Sequence, residues 1–208
     1  MENAVIALQP SQIKQACAVL GRAFYEDPLF QYLIPDKARR ARLLPSFHSI
    51  TIRYALHYGE VSTTPEISGV ACWLTPGHTT PTWRGMLRAA LHSVPASFGL
   101  SGLRRYFPIG SYVEKVHEQA ASGLHWYLWE LGVDPSCQHQ GIGGQLIQPM
   151  LERAARDNLP CYLETMNEIN LPFYEKHGFK VMSDGVVPEC GLRVWGMVAR
   201  PASLYKHG

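Results

Sequence analysis

The amino-acid sequence predicts an α/β fold of the α+β type, in which helices flank a sheet with a partly parallel centre. Short apolar runs of strand length are separated by longer segments whose apolar residues recur at helical spacing. From residue 124 onward these segments follow the order strand, helix, strand, helix, strand. A glycine cluster lies where the first of these strands passes into the following helix.

Length and composition favour one folded domain over a disordered chain. The 208 residues are 46% hydrophobic and 17% charged, which supplies a core and is too little charge for disorder. The formal net charge is only +2, whereas nucleic-acid binders usually carry a concentrated basic stripe. We expect a single domain over residues 1–208 and no nucleic-acid partner. The nearest basic cluster is the solvated start of a predicted helix, or else a contact for an anionic ligand, and comprises Lys37, Arg39, Arg40 and Arg42.

Cysteine spacing and hydropathy indicate a cytoplasmic protein. The five cysteines are widely separated and show neither a C-x-x-C pair nor a zinc-binding spacing, which is typical of a reducing compartment. The N-terminus has only a short apolar patch without a preceding basic segment, and no apolar run approaches the roughly 18 residues that span a bilayer. No histidine pair with a carboxylate has metal-binding spacing. We therefore expect no membrane partner and no metal.

The N-terminal part predicts two helices and three short strands. Apolar residues at helical spacing predict a first helix over residues 11–25. It is expected to end at Asp27-Pro28, because a residue before proline avoids helical dihedrals. The remaining elements are a second helix over residues 38–57 and strands over residues 5–8, 60–63 and 67–74.

Residues 76–123 form an insertion-like, partly helical segment of different composition. The segment carries four prolines and five aromatic residues, and one short amphipathic helix is predicted from Trp83 to Val94. It is long for a connection between strands. It is either a wall or lid on the substrate side or a structural insertion that packs on the sheet.

The C-terminal part has the most regular pattern. A short helix near its centre is expected to end at Gly178, where a left-handed residue is favoured. Pro149 lies within an earlier helix and is expected to bend it beyond its first turn. The predicted order is strand, helix, strand, helix, strand, strand over residues 124–133, 141–156, 161–165, 171–177, 179–182 and 192–198.

The segment that links the first of these strands to its helix is the most informative one. It runs from Val133 through a polar turn into Gln138-His139-Gln140-Gly141-Ile142-Gly143-Gly144. Glycines there allow a tight turn, and the first N–H groups of a helix lack internal partners at its positive end. Together these features predict a phosphate or pyrophosphate site, with an ordinary turn as the alternative. The Gly-Lys-Ser/Thr of a P-loop and the third glycine of a dinucleotide fingerprint are missing.

With its surroundings, this segment resembles the coenzyme A signature of the GNAT acyltransferases. The resemblance consists of Gln138-x-x-Gly141-x-Gly143 after a strand that closes in Val133-Asp134-Pro135. Downstream, Leu163-Glu164-Thr165 and the run from Asn170 to Phe179 are similar to the closing motif of that family. The likeness is closest to puromycin N-acetyltransferase-like members. It is clearest over residues 126–201, weaker over 21–75, and without a motif over 76–123.

The resemblance implies a mixed, strongly twisted sheet of about six to seven strands. Its fourth and fifth strands, here residues 124–133 and 161–165, would splay apart around the arm of acetyl-coenzyme A. Either Asn170 or Asn167 would bond that arm. The other cofactor-binding residues implied are the main chain of Leu131, Gly132 and Val133 for the pantetheine, and Gln138, His139, Gln140, Gly141, Ile142, Gly143 and Gly144 for the pyrophosphate.

The resemblance also implies a general acid, and the chemistry requires a base. Tyr174 would lie beside the thioester sulfur, where a phenol can bind the cofactor and donate a proton to the departing thiolate. A free alkylamine has a pKa of about 10.4, so it must lose a proton before it attacks. Glu164 and Glu130 are lone carboxylates within apolar runs, and either of them, or a water, is the candidate base. Cys137 has no visible activating partner and is not expected to act as a nucleophile.

The function implied is N-acetyl transfer from acetyl-coenzyme A directly to an amine of a small molecule. In that case residues 76–123 would help to enclose a pocket. One alternative is acetylation of a lysine or N-terminus of a protein, which predicts an open groove. A second alternative is a non-enzymatic sensor that binds coenzyme A. Homodimers are common among such enzymes, but the sequence identifies no interface.

Overall fold

The computed structural model describes residues 4–90 and 99–201, so the end of the predicted helix over residues 83–94 lies outside the described part. The described residues form seven α-helices and seven strands, and from β4 onward they follow the order that the sequence predicts. The helices α1 to α7 are Ile13–Ala23, Pro28–Leu33, Lys37–Tyr58, Trp83–Ala90, Gly99–Ala120, Ile142–Arg156 and Leu171–Lys176. The strands β1 to β7 are Ile6–Ala7, Gly59–Thr63, Gly69–Leu74, Trp126–Val133, Cys161–Thr165, Phe179–Val186 and Arg193–Ala199.

All seven strands belong to one mixed sheet, in the order β1-β2-β3-β4-β5-β7-β6. Neighbouring strands are antiparallel except for the central pair of β4 and β5, which is parallel. Two parallel neighbours need a crossover, and α6 provides it. The predicted fold class, with its partly parallel centre, is therefore confirmed.

The parallel pair is joined only at its beginning. Trp126 pairs with Cys161 and Tyr127 with Tyr162, and no further β4–β5 pairs follow among the described residues. Beyond this point β4 continues to Val133 paired with β3 alone, while β5 pairs with β7. The two central strands thus splay apart, as the resemblance implies, and leave a gap in the middle of the sheet.

Each face of the sheet is covered by a different set of helices. On the first face, called the α3 face below, α1 and α3 bury alternate strand residues, namely Val70, Cys72, Leu74, Tyr127, Tyr162 and Val198. On the opposite α6 face, α6 and α7 bury the intervening ones, namely Ala71, Trp73, Trp126, Leu128, Cys161, Leu163 and Met197. Successive side chains of a strand point to opposite faces of the sheet, which produces this division. The gap between β4 and β5 connects the two faces.

Three elements differ from the sequence-based prediction. The first helix ends at Ala23, and Asp27-Pro28 starts the short helix α2 instead. The Asp27 carboxylate accepts a hydrogen bond from the Leu29 N–H at 2.9 Å, and proline is favoured in a first turn. The long helix α5 was not predicted, because Pro108 and its glycines obscure an apolar stripe that includes the buried Ile109 and Val116. The strand β6 extends to Val186, four residues further than expected.

Candidate active site

A β-bulge shapes the edge of the gap on β4. Trp73 pairs with Leu128 and Cys72 with Glu130, so Trp129 is an extra residue in β4. A bulge of this kind shifts the alternation of side chains by one position and increases the local twist. Glu130 therefore lies on the α3 face, the same face as its cross-strand neighbour Cys72.

Glu164 lies on the opposite edge of the gap, on β5. The Tyr127 hydroxyl donates a short hydrogen bond to its Oε1 atom. Its Oε2 atom is buried and has no hydrogen-bond partner among the described residues. Burial raises the pKa of Glu164 to about 7, and the nearby hydroxyls of Tyr127 and Tyr162 offset part of that rise. Near neutral pH this carboxyl is therefore able both to accept and to release a proton.

Glu130 is held by a histidine of α3. His48 Nδ1 lies 2.9 Å from Glu130 Oε1, the histidine side chain is fully buried, and that of Glu130 is 9% exposed. The ring of His48 is packed between Phe24 and Phe30, at centroid distances of 5.0 and 5.4 Å. The Oε2 atom of Glu130 has no hydrogen-bond partner in the described part of the chain. Both candidate bases thus present one buried, unbonded carboxylate oxygen.

Tyr174 belongs to the core on the α6 face of the sheet. It lies on α7, is 8% exposed, and its ring packs on Phe173 and Phe179 at centroid distances of 5.1 and 5.9 Å. Burial raises its pKa well above the ordinary value, and the negative charges of Asp27 and Glu164 raise it further. Its hydroxyl therefore remains protonated at neutral pH and lies within electrostatic range of Glu164.

The glycine loop has the geometry that the phosphate prediction requires. Gly141 is the N-cap of α6 with a left-handed φ of 80°, and no side chain caps the helix. The first backbone bond of the helix runs from the N–H of Gln145 to the carbonyl of Gly141, at 3.1 Å. The preceding N–H groups of the first turn consequently have no intrahelical acceptor. A Cβ atom at Gly141 would have no heavy atom within 4 Å, so this entrance opens outward from the protein.

The two glycines that follow have a different role, because α7 packs directly on them. A Cβ on Gly143 would lie 3.1 Å from the ring of Phe173, and a Cβ on Gly144 would lie 2.6 Å from His177 Nε2. The His177 ring cannot easily retreat, since its Nδ1 atom lies 2.8 Å from the Phe173 carbonyl oxygen. The glycines thus allow α6 and α7 to approach closely, and Tyr174 lies between Phe173 and His177 on α7.

Replacing Gly144 with alanine is expected to lower the free energy of unfolding by about 1–3 kcal/mol, through overpacking against His177. The usual effect of glycine to alanine within a helix is a gain of roughly 0.5–1 kcal/mol. Urea unfolding measures the change. Gly110→Ala in α5 is the matched control and should stabilise, because its Cβ would be 3.5 Å from the nearest atom of Tyr106. Equal stabilisation by both variants would show that the close packing is unimportant.

The two candidate asparagines follow β5, and their side chains make different hydrogen bonds. Asn167 Oδ1 accepts a hydrogen bond from the N–H of Ile169 at 3.2 Å and caps a 3-10 turn. Asn170 Nδ2 donates a 3.4 Å hydrogen bond to the Thr165 hydroxyl at the end of β5. The Asn167 side-chain oxygen is therefore committed locally, whereas the Asn170 amide lies at the end of the strand that borders the gap.

The edge of β4 that faces the gap fits an extended ligand arm. From Leu128 to Val133 the strand pairs with β3 on one side only. An extended chain can add to such an edge through main-chain hydrogen bonds. One acceptor is already engaged, since Gln138 Nε2 donates to the Val133 carbonyl at 3.2 Å. The exposed His139 completes the loop in a left-handed conformation, with a φ of 62°.

Three residues of this region were not identified from the sequence. Tyr127 bonds Glu164, His48 bonds Glu130, and Tyr106 of α5 lies within electrostatic range of both glutamates. Burial raises the pKa of the Tyr106 hydroxyl, and the charges of Glu164 and Glu130 contribute further, although the residue is 37% exposed. Only His48 has a sequence signal, as a polar residue on the apolar stripe of α3 that includes Leu44, Ile52 and Ala55.

Within the residues that the structure describes, no group of three or more histidine, cysteine, aspartate or glutamate side chains could hold a metal ion. No helix in that part of the chain is both long and apolar enough to cross a membrane. All five cysteines are free thiols, and burial raises the pKa of Cys17, Cys72 and Cys161.

Comparison with known proteins identifies the relatives of this chain. A sequence model of the Acetyltransferase (GNAT) family matches residues 62–179, which include β3, the gap and the glycine loop. An uncharacterized N-acetyltransferase of Schizosaccharomyces pombe is 26% identical over 180 residues, which is 83% of this chain and 72% of that protein.

Solved structures share the fold at lower identity. The structure of histone acetyltransferase HPA2 and related acetyltransferase from Corynebacterium glutamicum superposes with a TM-score of 0.65 at 21% identity, over 97% of this chain and 98% of that one. Arylalkylamine N-acetyltransferase 2 from Aedes aegypti gives a TM-score of 0.58 at 12% identity, over 95% and 98%. At these identities the likeness concerns the fold alone.

Proposed function

Since the chain belongs to the acetyltransferase (GNAT) family, we propose that this acyltransferase moves the acetyl group of acetyl-coenzyme A directly to the amine of a small molecule. The observation that supports the proposal is the electrostatic interaction of two proton-handling groups, one of them on the β5 strand that borders the β4–β5 gap. Glu164 approaches from the α3 face and Tyr174 from the α6 face, within electrostatic range of each other. One cytoplasmic domain, residues 1–208, would contain the whole site.

The cofactor would be held along the α6 face and the edge of β4. The uncapped N–H groups from His139 to Gly144 suit a pyrophosphate, because they lie at the positive end of α6. The free edge from Leu131 to Val133 suits the pantetheine arm, with Asn170 at the far side of the gap. Bound acetyl-coenzyme A supplies an acetyl thioester at the gap. Backbone N–H groups on the splayed β4 edge are available there to stabilise negative charge.

In this proposal Glu164 removes the proton from the amine. Its pKa of about 7 leaves a substantial ionised fraction at neutral pH, and Tyr127 bonds only its Oε1 atom. A base whose pKa lies near the working pH is close to optimal. Glu130 is the alternative base, but its Oε1 atom is bonded to His48.

Tyr174 holds the proton that the departing sulfur requires. Its raised pKa keeps the phenol protonated, and its ring is fixed by Phe173 and Phe179. The net reaction leaves an amide on the acceptor and a free thiol on coenzyme A. The second proton lost by the amine balances the one given to the sulfur.

The small-molecule acceptor is supported by the position of α5. The charges of Glu164 and Glu130 raise the pKa of Tyr106 on α5, so this helix would form one wall of the acceptor side. A puromycin N-acetyltransferase-like acceptor site is the more specific form of the proposal. A site enclosed by such a wall would favour a small amine over a folded protein surface.

Calorimetric titration and an acceptor screen test this proposal. We expect acetyl-coenzyme A to bind while NAD and ATP do not. Thiol release is then measured with small amines, puromycin included, and with peptides that offer a free lysine or N-terminus. Acetylation of peptides alone would contradict the small-molecule assignment. Binding of acetyl-coenzyme A without thiol release for any acceptor would favour the sensor alternative.

A further inference from the structure

We propose that a cavity between the α2–α3 turn, residues 34–36, and the start of α5 binds a small organic molecule with one carboxylate group and an apolar body. This cavity, called the α3–α5 cavity below, has a volume of about 280 Å³. Buried apolar side chains and two arginines line it. The proposed base Glu164 and acid Tyr174 are not among its described lining residues, so the inference goes beyond the proposed function and does not rest on it.

One wall of the cavity is held in place by Arg40, a member of the basic cluster noted in the sequence. Its Nη1 atom donates hydrogen bonds to the carbonyl oxygens of Ile34, at 2.8 Å, and Pro35, at 3.3 Å. Its Nε atom donates to the Tyr25 carbonyl at 2.8 Å, and the side chain is almost fully buried. Because Ile34 and Pro35 line the cavity, Arg40 fixes the shape of this wall before a ligand binds.

Two exposed arginines approach the cavity from different helices. Arg39 belongs to the first turn of α3, and Arg105 belongs to α5. Arg105 Nη1 donates a 3.2 Å hydrogen bond to the Tyr32 carbonyl, and its guanidinium lies 5.9 Å from the centroid of the Tyr32 ring. A guanidinium has five N–H donors in a planar fork, so the bond to Tyr32 orients Arg105 without using all of its donors.

The charge of the lining selects a monoanion. Asp36 is the single acidic residue among the described lining residues, beside the two cations Arg39 and Arg105. The Asp36 Oδ1 atom accepts a 2.6 Å hydrogen bond from the backbone N–H of Arg39, so this carboxylate already caps α3. Two guanidinium groups at one small cavity repel each other, and a bound anion relieves that repulsion. One negative charge balances the lining, whereas a phosphate monoester carries about −1.5 to −2 and exceeds it.

The inner part of the cavity selects an apolar body. Leu33, Ile34 and Leu43 line it, and all three are buried members of the core between α2, α3 and α5. A carboxylate at the arginines with a hydrocarbon body behind it would remove this apolar surface from water. The volume lies just below the range of roughly 300–1,000 Å³ that is usual for ligand pockets, so a ligand of the size of 3-phenylpropionate suits it.

An NMR titration of the full chain with 3-phenylpropionate tests this inference, with the backbone amide signals as the readout. The amides of Leu43 and Gly102, which line the cavity from α3 and α5, are expected to shift in a saturable way. The matched probes are 3-phenylpropanamide, which lacks the charge, and acetate, which lacks the apolar body. We expect 3-phenylpropionate to bind about tenfold more tightly than either of them. The dianion 2-phenylethyl phosphate should bind no more tightly than the carboxylate.

Substitution of either arginine separates a specific site from a general attraction of anions. Arg105→Gln and Arg39→Gln are each expected to raise the Kd for 3-phenylpropionate by about tenfold, because each removes one charged donor group. Arg156→Gln, at the exposed end of α6, is the matched control and should leave the Kd unchanged. All three side chains are exposed, and the amide spectrum of each variant shows directly whether it is folded.

Several results would overturn the inference. They are equal binding of 3-phenylpropanamide or acetate, tighter binding of the phosphate, an equal loss in Arg156→Gln, amide shifts confined to the β4–β5 gap, and no saturable shift at all. None of them touches the proposed acetyl transfer, which is measured by thiol release. A chain that released no thiol with any amine would conversely still be expected to bind 3-phenylpropionate in the α3–α5 cavity.

Discussion

Replacing Tyr174 with phenylalanine is expected to lower kcat by about 10²- to 10⁴-fold, the usual contribution of a general acid. The change removes one hydroxyl and leaves the ring contacts with Phe173 and Phe179 in place. The Kd for acetyl-coenzyme A should therefore remain nearly constant. Steady-state thiol release measures the first quantity and calorimetric titration the second.

The matched control for this variant removes a tyrosine hydroxyl elsewhere. Tyr112 lies on α5, and its hydroxyl contacts the backbone at Gly185 on the outer strand β6. Tyr112→Phe should have little effect on kcat. If Tyr174→Phe turned over as fast as Tyr112→Phe with a good acceptor, Tyr174 would not be the acid, and its burial would be a matter of packing alone.

The elements around the glycine loop could be predicted because their signals are local. The strand that ends at Val133, the glycine entrance to α6 and the close of α7 at Gly178 each depend on neighbouring residues. Gly178 has a φ of 87°, as its position after the helix predicts. The boundaries of β5 agree with the prediction for the same reason, since the strand is short, apolar and flanked by polar turns.

The arrangement of the two glutamates could not be predicted, because it depends on residues far apart in the chain. His48 and Glu130 are separated by 82 positions, and Tyr127 and Glu164 by 37. The orientation of Glu130 depends in addition on a bulge in β4, which is a property of the pairing with β3. A simple alternation along β4 would place Glu130 on the opposite face to Tyr127.

The prediction near Asp27-Pro28 was wrong for a different reason. A residue before proline does avoid helical dihedrals, and Asp27 is indeed extended, with φ and ψ of −66° and 134°. The same pair is also a favourable start for a helix, since aspartate caps it and proline suits its first turn. The sequence rule identified the boundary correctly but assigned it to the end of one helix and not to the start of the next.

Replacing Glu164 with glutamine is expected to lower kcat/KM by roughly 10²- to 10⁴-fold and to abolish its rise with pH. In the unaltered protein burial raises the pKa of Glu164 to about 7, so the carboxylate that accepts the proton forms as the pH rises through that value. The rate should therefore increase between about pH 6 and 8. The hydroxyls of Tyr127, Tyr162, Tyr106 and Tyr174, which interact electrostatically with Glu164, stay protonated throughout this range.

The stability of the protein also depends on the ionisation of Glu164. It is expected to fall as the pH rises, whereas the rate is expected to increase. A carboxyl whose pKa is higher in the folded than in the unfolded state stabilises the fold only while it is protonated, so stability falls as the pH rises from about 4.5 through about 7. The shift corresponds to about 3 kcal/mol. Glutamine cannot ionise, yet it can still accept the hydrogen bond from Tyr127. Urea unfolding should accordingly find Glu164→Gln more stable than the unaltered protein at pH 8 and about equal to it at pH 5. A variant that is less stable at pH 8 would show that the ionised carboxylate is satisfied within the fold, and Glu164 would then be a structural residue and not a base.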